Sequence, residues 1–258
     1  MFSRGMPSLT SRPRQASAAA PSPNASPRIV SYADLGKLGF RLRRAPTVLF
    51  SLDPSGEGDD RTGLSIIERH ELELGEPDEP KFAVEHAFMI RHVERLPRDM
   101  EFPDVMALLL AYHKGMLKRP KAVQRHWFAI EVNGVGWPFY SQLHNLCGPG
   151  FVIPVVTTGS ADDRPYGEED NRPRMPRMAG LDLFRVMLQL QRIMIVPGAK
   201  GADELVREMR SFVFNGRRPE AAEGEHDDLI FSSALGVWVG ARIIPPTARA
   251  KPTRERLH

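Results

Sequence analysis

Three acidic positions interrupt otherwise apolar segments of the sequence. Asp53 ends the run Thr-Val-Leu-Phe-Ser-Leu-Asp, Glu131 ends the run Trp-Phe-Ala-Ile-Glu, and the pair Asp227 and Asp228 precedes an apolar stretch that begins Leu-Ile-Phe. A carboxylate beside buried apolar residues is costly unless it is paired or binds a cation. Three such positions on converging elements would offer the hard oxygen ligands that Mg²⁺ and Mn²⁺ prefer. The pattern therefore raises a divalent-metal site as a hypothesis.

Each of these acids also has a plainer interpretation. Asp53 precedes Pro-Ser-Gly and could simply initiate a turn. Glu131 could face solvent at the end of a strand, and Asp227 with Asp228 could cap a helix and complement its dipole. Taken singly, the acids are best explained by these structural roles. Taken together, in the order of elements that follows, they favour the metal site.

Hydrophobic periodicity predicts an α/β order of elements between two polar ends. Three strands joined by short turns, as in an antiparallel meander, are followed by a helix, a strand, a helix and a strand. We predict these strands at 47–53, 63–74, 82–96, 127–131 and 151–156, and these helices at 103–118 and 136–147. A polar stretch at 157–180 is predicted to be a loop or a mobile hairpin. After it we predict a helix at 181–192, a strand at 193–196, and helices at 202–214 and 228–239.

The two ends of the chain differ in composition from its middle. Residues 1–30 are rich in Pro, Ser and Ala without an apolar period, which predicts a disordered basic leader. A folded domain is expected at 31–242 and a basic disordered tail at 243–258. Residues 1–44 hold seven arginines and one lysine against the single acid Asp34. This end supplies much of the sequence pI of about 9.2, so the pI by itself does not indicate a nucleic-acid binder.

Several classes of protein are excluded by composition. Cys147 is the only cysteine among the 258 residues, which excludes an intrachain disulfide and a cysteine-rich zinc site. No apolar run approaches the roughly 20 residues that span a bilayer, and the N-terminus lacks the apolar centre of a secretory signal. The leader also has the composition of an organellar transit peptide, although a plain disordered tail is favoured. We therefore expect a cytoplasmic protein without a membrane partner.

The order of elements and three motifs resemble the nuclease domain of phage large terminase subunits. The motifs are Ser-Leu-Asp53-Pro-Ser-Gly-Glu-Gly-Asp59-Asp60-Arg-Thr-Gly, Ala-Ile-Glu131-Val-Asn-Gly-Val-Gly136 and Glu-His226-Asp227-Asp228-Leu-Ile. The resemblance extends over about residues 46–242. It implies an α/β, RNase H-like fold, with a mixed central sheet of a three-strand antiparallel meander plus parallel strands, flanked by helices.

The same resemblance implies a role for each acid. Asp53 would bridge two divalent metal ions, Mg²⁺ or Mn²⁺, and Glu131 and Asp228 would complete their coordination, so that these three are the expected catalytic residues. Asp227 and Asp59 correspond to accessory metal-binding acids. The sequence leaves open which member of the pair Asp227 and Asp228 is the ligand, and Asp228 is favoured.

The activity implied is that of a metal-dependent endodeoxyribonuclease that cuts concatemeric viral DNA during genome packaging in a bacterial host. His226 would lie beside the metal ligands without binding the metal itself. A surface histidine that flanks a helix is an equally good interpretation. Arginines are the candidates for contacts with DNA phosphates, and each could instead be a solvated surface residue. The candidates are Arg172, Arg174, Arg177, Arg217 and Arg218.

The sequence differs from large terminase subunits in one feature. A large terminase couples its nuclease to an ATPase, but the sequence contains no Gly-x-x-x-x-Gly-Lys-Ser/Thr phosphate loop. The expected partners are then double-stranded DNA and a separate packaging ATPase, a small terminase subunit or a portal; a prophage remnant or a fragment would explain the same departure. Two alternatives stay open: another RNase H-like nuclease such as a junction resolvase, and a catalytically silent DNA- or partner-binding module.

Overall fold

The computed structural model describes residues 41–42, 45–55, 61–74, 83–121, 124–159, 172–211, 213–214, 219–220 and 227–246. Its strands are β1 Arg41–Leu42, β2 Thr47–Asp53, β3 Gly63–Leu74, β4 Ala83–Arg95, β5 His126–Glu131, β6 Val152–Thr158, β7 Arg174–Pro176, β8 Ile193–Lys200, β9 Val213–Phe214 and β10 Pro219–Glu220. Its helices are α1 Phe102–Leu117, α2 Gly136–Cys147, α3 Arg177–Gln189, α4 Ala202–Ser211 and α5 Asp228–Trp238. A π-helix, Val239–Ile243, continues α5. In these ranges no helix is both long and apolar enough to cross a membrane.

The main sheet is mixed. Its strands follow the order β7-β6-β5-β2-β3-β4-β8, and β1 pairs with β3. The pairs β2–β3 and β3–β4 are antiparallel, whereas β2–β5, β5–β6, β6–β7 and β4–β8 are parallel. A meander that starts from a central strand and a parallel continuation on that strand's other side form the RNase H-like topology. The fold class predicted from the sequence is confirmed.

Helices cover both faces of this sheet. Phe50 belongs to a buried cluster with residues of α1 and α2, whereas its neighbour Leu49 belongs to a cluster with residues of α3, α4 and α5. Successive side chains of a strand point to opposite faces. Asp53, four residues after Leu49, therefore lies on the α5 face. Glu131 lies on the same face, because it follows by two residues Ala129, a member of the α5 cluster.

Small residues allow α5 to pack closely on β2 and β3. A Cβ atom at Gly236 would lie only 2.8 Å from Cδ1 of Ile67, so a larger residue would push the helix away from the sheet. The Ser65 hydroxyl is hydrogen-bonded to the hydroxyls of Ser232, at 2.8 Å, and Ser233, at 3.0 Å. These buried polar contacts fix the register of α5 on the sheet and hence the position of its first residue.

A buried arginine holds the end of the helix. Arg69, which is 2% exposed, donates from Nη1 to the carbonyls of Gly240, at 2.9 Å, and Ile244, at 2.6 Å, and from Nη2 to that of Pro245, at 3.1 Å. A cation at a helix C-terminus interacts favourably with the helix dipole. Ile244 is itself buried, so the described structure continues past residue 242, where the domain was expected to end.

Most predicted elements are present with small changes at their ends, and two differences are larger. The stretch predicted to be a loop or a mobile hairpin at 157–180 contains the end of β6, the strand β7 and the first turn of α3. The helix predicted at 202–214 ends at Ser211, and Val213–Phe214 pairs instead with Pro219–Glu220. In both places a strand of two or three residues forms by pairing with a neighbouring strand, which the periodicity of so short a segment does not report.

Candidate active site

Two carboxylates lie at one edge of the sheet. Asp53 is the last residue of β2 and Glu131 the last residue of β5, and these strands pair in parallel. Asp228 is the first residue of α5, which packs on the same face. Gly63, the cross-strand partner of Asp53, lies directly against the Asp228 carbonyl, where a Cβ atom would collide with it. The topology therefore brings three acids together that are far apart in sequence.

The electrostatics of Asp53 reflect this convergence. Burial raises the pKa of Asp53 well above its usual range. The charge of Glu131 raises this pKa further, as do those of Asp228 and Asp227, whereas Arg177 lowers it. Like charges held together in a poorly solvated place favour protonation or a bound cation. A divalent cation at this edge would stabilise the ionised form of Asp53.

Glu131 is held by the turn that follows β5. Its Oε2 accepts a hydrogen bond from the backbone N–H of Asn133, at 3.0 Å. Burial raises the pKa of Glu131, and the Thr157 side chain, the Asn133 N–H and the charge of Arg177 act in the opposite direction. Gly136, the first residue of α2, packs against the Glu131 carbonyl so closely that a Cβ atom would overlap it. The start of α2 is therefore part of the wall of the site.

The two aspartates at the start of α5 occupy different environments. Asp228 is 5% exposed, and its Oδ2 lies 3.4 Å from Nε of Arg95. Asp227 is the N-cap residue and forms an ion pair with Nη2 of Arg177 at 2.5 Å. The Arg177 guanidinium also lies 4.4 Å from the centre of the Phe231 ring. Of the two residues between which the sequence did not decide, Asp228 is the one buried beside Asp53.

A buried acid that the sequence did not single out supports this arrangement. Glu208 of α4 is 2% exposed and accepts hydrogen bonds from Nη2 of Arg95, at 2.9 Å, and from the N–H groups of Ile230, at 3.1 Å, and Leu229, at 3.4 Å. It thus caps the N-terminus of α5 and holds the arginine that contacts Asp228. A sequence signal existed, because position 208 falls on the inward face of α4, three residues after the buried Leu205.

The pKa of Glu208 is determined by burial and by the charges around it. Burial raises the pKa of Glu208 to about 7, and the hydrogen bond and charge of Arg95 and the Leu229 N–H act in the opposite direction. The charge of Asp228 raises it again. A carboxyl group in this position is therefore sensitive to the other charges of the site.

The donors suit a hard divalent cation in chemical type. Carboxylate oxygens from β2, β5 and α5 lie at one edge, and the repulsion at Asp53 is of the kind that a cation relieves. Within the described part of the chain, no three His, Cys, Asp or Glu side chains stand close enough together to enclose one ion. Asp228 and Asp227 are turned instead towards Arg95 and Arg177. To bind an ion, each of these two carboxylates would have to leave its arginine and turn towards the cation.

The other predicted site residues are distributed as follows. Arg172 lies over the ring of Trp137, with its Cζ 4.4 Å from the ring centre. Arg174 begins the short strand β7, and Arg177 is engaged with Asp227. Contact with DNA stays a prediction for all three. The predicted residues that lie outside the described part of the chain are Asp59, Arg217, Arg218 and His226.

Comparison with known proteins adds one likeness. Neither a protein-family model nor a curated protein matches the sequence. Among solved structures, the human cytomegalovirus terminase nuclease domain is similar, with 11% sequence identity and a TM-score of 0.43 over 82% of this chain and 95% of that one. Identity and score are too low to identify a relationship, so the fold assignment rests on the order and direction of the strands.

Proposed function

We propose that this chain is a metal-dependent endonuclease of the terminase type that hydrolyses phosphodiester bonds in double-stranded DNA. The observation that supports this proposal is the meeting of Asp53, Glu131 and Asp228 at one edge of an RNase H-like sheet. Repulsion among partly buried carboxylates destabilises a fold, and such arrangements are typical of functional sites. A catalytically silent binding module would not need carboxylates that repel one another at this place.

In this proposal the acids share the task of binding metal. Asp53, whose pKa responds to both Glu131 and Asp228, would hold the metal ions together with these two acids. Two Mg²⁺ or Mn²⁺ ions bound there would supply a nucleophilic water and neutralise charge on the leaving oxygen. Asp227 is an accessory acid at the rim. Arg177, which is 43% exposed and paired with Asp227, would contact a DNA phosphate after leaving Asp227.

The biological role that we propose is the cutting of concatemeric viral DNA during genome packaging, in a bacterium infected by a phage or carrying a prophage. Support comes from the three sequence motifs and from the order of elements in which they occur. The ATPase, the small terminase subunit and the portal would then be separate chains that act with this one.

The proposal is tested by incubating supercoiled plasmid with the purified chain and Mn²⁺, Mg²⁺ or EDTA. We expect nicking and linearisation with either metal, none in EDTA, and a loss of at least about 100-fold in rate for Asp53→Asn, because this variant removes a carboxylate that holds the metal ions. Asp182→Asn is the matched control. Asp182 is an exposed acid of α3 that pairs with Arg185 within its own helix.

Two results would contradict the proposal. One is a folded wild-type chain that cleaves neither plasmid nor linear duplex with any metal. The other is cleavage that Asp53→Asn leaves unchanged, because it would belong to a contaminant or to another site. A rate on four-way junctions far above the rate on linear duplex would replace the terminase role by that of a resolvase.

A further inference from the structure

One side of α2 carries a row of aromatic residues, of which Trp137 is exposed and Tyr140 and His144 are half-buried; Tyr140 also packs against the buried cluster that contains Phe50. Trp137, Tyr140 and His144 follow one side of the helix at spacings of three and four residues. Their ring centres are 5.1 Å apart for Trp137 and Tyr140, and 5.3 Å apart for Tyr140 and His144. The inward side of the same helix is formed by Phe139 and Leu143, which are buried. Trp137 is 39% exposed.

The row starts at the candidate active site. Trp137 follows Gly136, the residue packed against the Glu131 carbonyl, and the Gly136 position also lies near the ring of Pro54, the residue after Asp53. From there the row extends along α2 by seven residues to His144, or about 10 Å. It therefore leads away from the carboxylates over the surface of the protein.

The chemistry of this surface suits a polyanion with flat groups. The guanidinium of Arg172 lies 4.4 Å from the centre of the Trp137 ring, so the ring already accepts a planar cation on its face. Residues 132–161 contain no Asp or Glu, although acids make up 32 of the 258 residues. The helix α2 therefore carries no carboxylate of its own that would repel a phosphate chain. Exposed aromatic rings with adjacent arginine are the means by which proteins stack unpaired bases.

We propose that Trp137, Tyr140 and His144, together with Arg172, bind an unpaired stretch of the DNA strand beside the point of cleavage. A base stacks on the exposed Trp137 ring, beside the half-buried rings of Tyr140 and His144, and Arg172 contacts a phosphate. The inference rests on the proposed function, because it names the form of DNA that the carboxylates receive: a duplex with a short unpaired stretch next to the scissile bond.

Binding is measured without cleavage, as the fluorescence anisotropy of a labelled single-stranded oligothymidylate titrated with the protein in EDTA. We expect Trp137→Ala to weaken binding by about 5- to 150-fold and Trp137→Phe to keep most of it, since stacking on an aromatic ring is worth about 1–3 kcal/mol per base. Arg172→Ala should reduce the salt dependence by about one counterion. Leu190→Ala is the control, because Leu190 is 60% exposed beyond the end of α3.

The outcomes separate this inference from the proposed function. Oligonucleotide binding that depends on Trp137 supports the surface even if no metal activates cleavage. Cleavage that depends on Asp53, with oligonucleotide binding that Trp137→Ala leaves unchanged, overturns the surface and retains the nuclease. Equal affinity for blunt duplex and for the single strand also overturns it, because stacking requires bases that are not paired.

Discussion

At the scale of single residues, the site is defined by charges that are held close together with incomplete neutralisation. Burial and the charge of Glu131 both raise the pKa of Asp53, and Arg177 opposes them only in part. Behind this group, the carboxylate of Glu208 and the guanidinium of Arg95 link α4 and β4 to the start of α5. The position of Asp228 therefore depends on residues that would not touch the substrate.

The buried carboxyl of Glu208 predicts a pH dependence of stability. Its pKa is raised from 4.5 to about 7 in the folded chain, so the folded state binds the proton more tightly than the unfolded state does. The contribution of this proton to the free energy of unfolding is fully present below about pH 4.5, and it is lost as the pH rises through about 7. Compared with Glu208→Gln, the wild type should lose up to about 3 kcal/mol of unfolding free energy between about pH 5 and pH 8.

Chemical denaturation in EDTA at several pH values measures this difference. Glu204→Gln, an exposed acid on the same helix, is the control and should follow the wild-type curve. Parallel pH curves for the wild type and Glu208→Gln would show that Glu208 has an ordinary pKa in the folded chain.

At the scale of elements, the ends of helices and strands that depend on residues nearby in the sequence could be predicted. The ends that depend on pairing with distant strands could not. The helix α2 has the predicted limits, because Gly136 is required against Glu131 and Gly148 ends the helix with a positive φ of 92°. The strand β8 was predicted to stop before Pro197, yet it continues to Lys200. Among the residues that the structure describes, β8 pairs with β4 alone, and proline is tolerated on such an edge strand because its missing N–H does not break a sheet hydrogen bond.

The close packing of α5 predicts opposite effects for two helical glycines. In Gly236→Ala the new methyl would lie 2.8 Å from Ile67 Cδ1 and 3.0 Å from Ser51 Cβ, which should destabilise the fold by about 1–3 kcal/mol. Gly115→Ala in α1 meets no atom within 4 Å and should stabilise it by about 0.5–1 kcal/mol through helix propensity.

The free energy of unfolding in urea measures both changes. A Gly236→Ala variant as stable as Gly115→Ala would mean that α5 does not need a small residue where it crosses β2 and β3.

At the scale of the whole molecule, the RNase H-like sheet was predicted from the order of elements together with the resemblance of three motifs to the nuclease domain of phage large terminase subunits. The sequence could not supply the support from Arg95 and Glu208. That contact joins residues 113 positions apart, and neither residue lies in a motif. The sequence also could not show that Asp227 and Asp228 contact different arginines, because the environment of each acid depends on how α5 packs on the sheet.

The central claim is that acids from three separate elements act as one site. The most direct measurement is the rate of metal-dependent plasmid cleavage by Glu131→Gln and Asp228→Asn, beside Asp53→Asn and the control Asp182→Asn, with folding checked by circular dichroism. Groups that act as a unit are not additive, so each single variant should lose nearly as much activity as the triple variant, and the control should lose none. Wild-type cleavage by folded Glu131→Gln or Asp228→Asn would contradict the account.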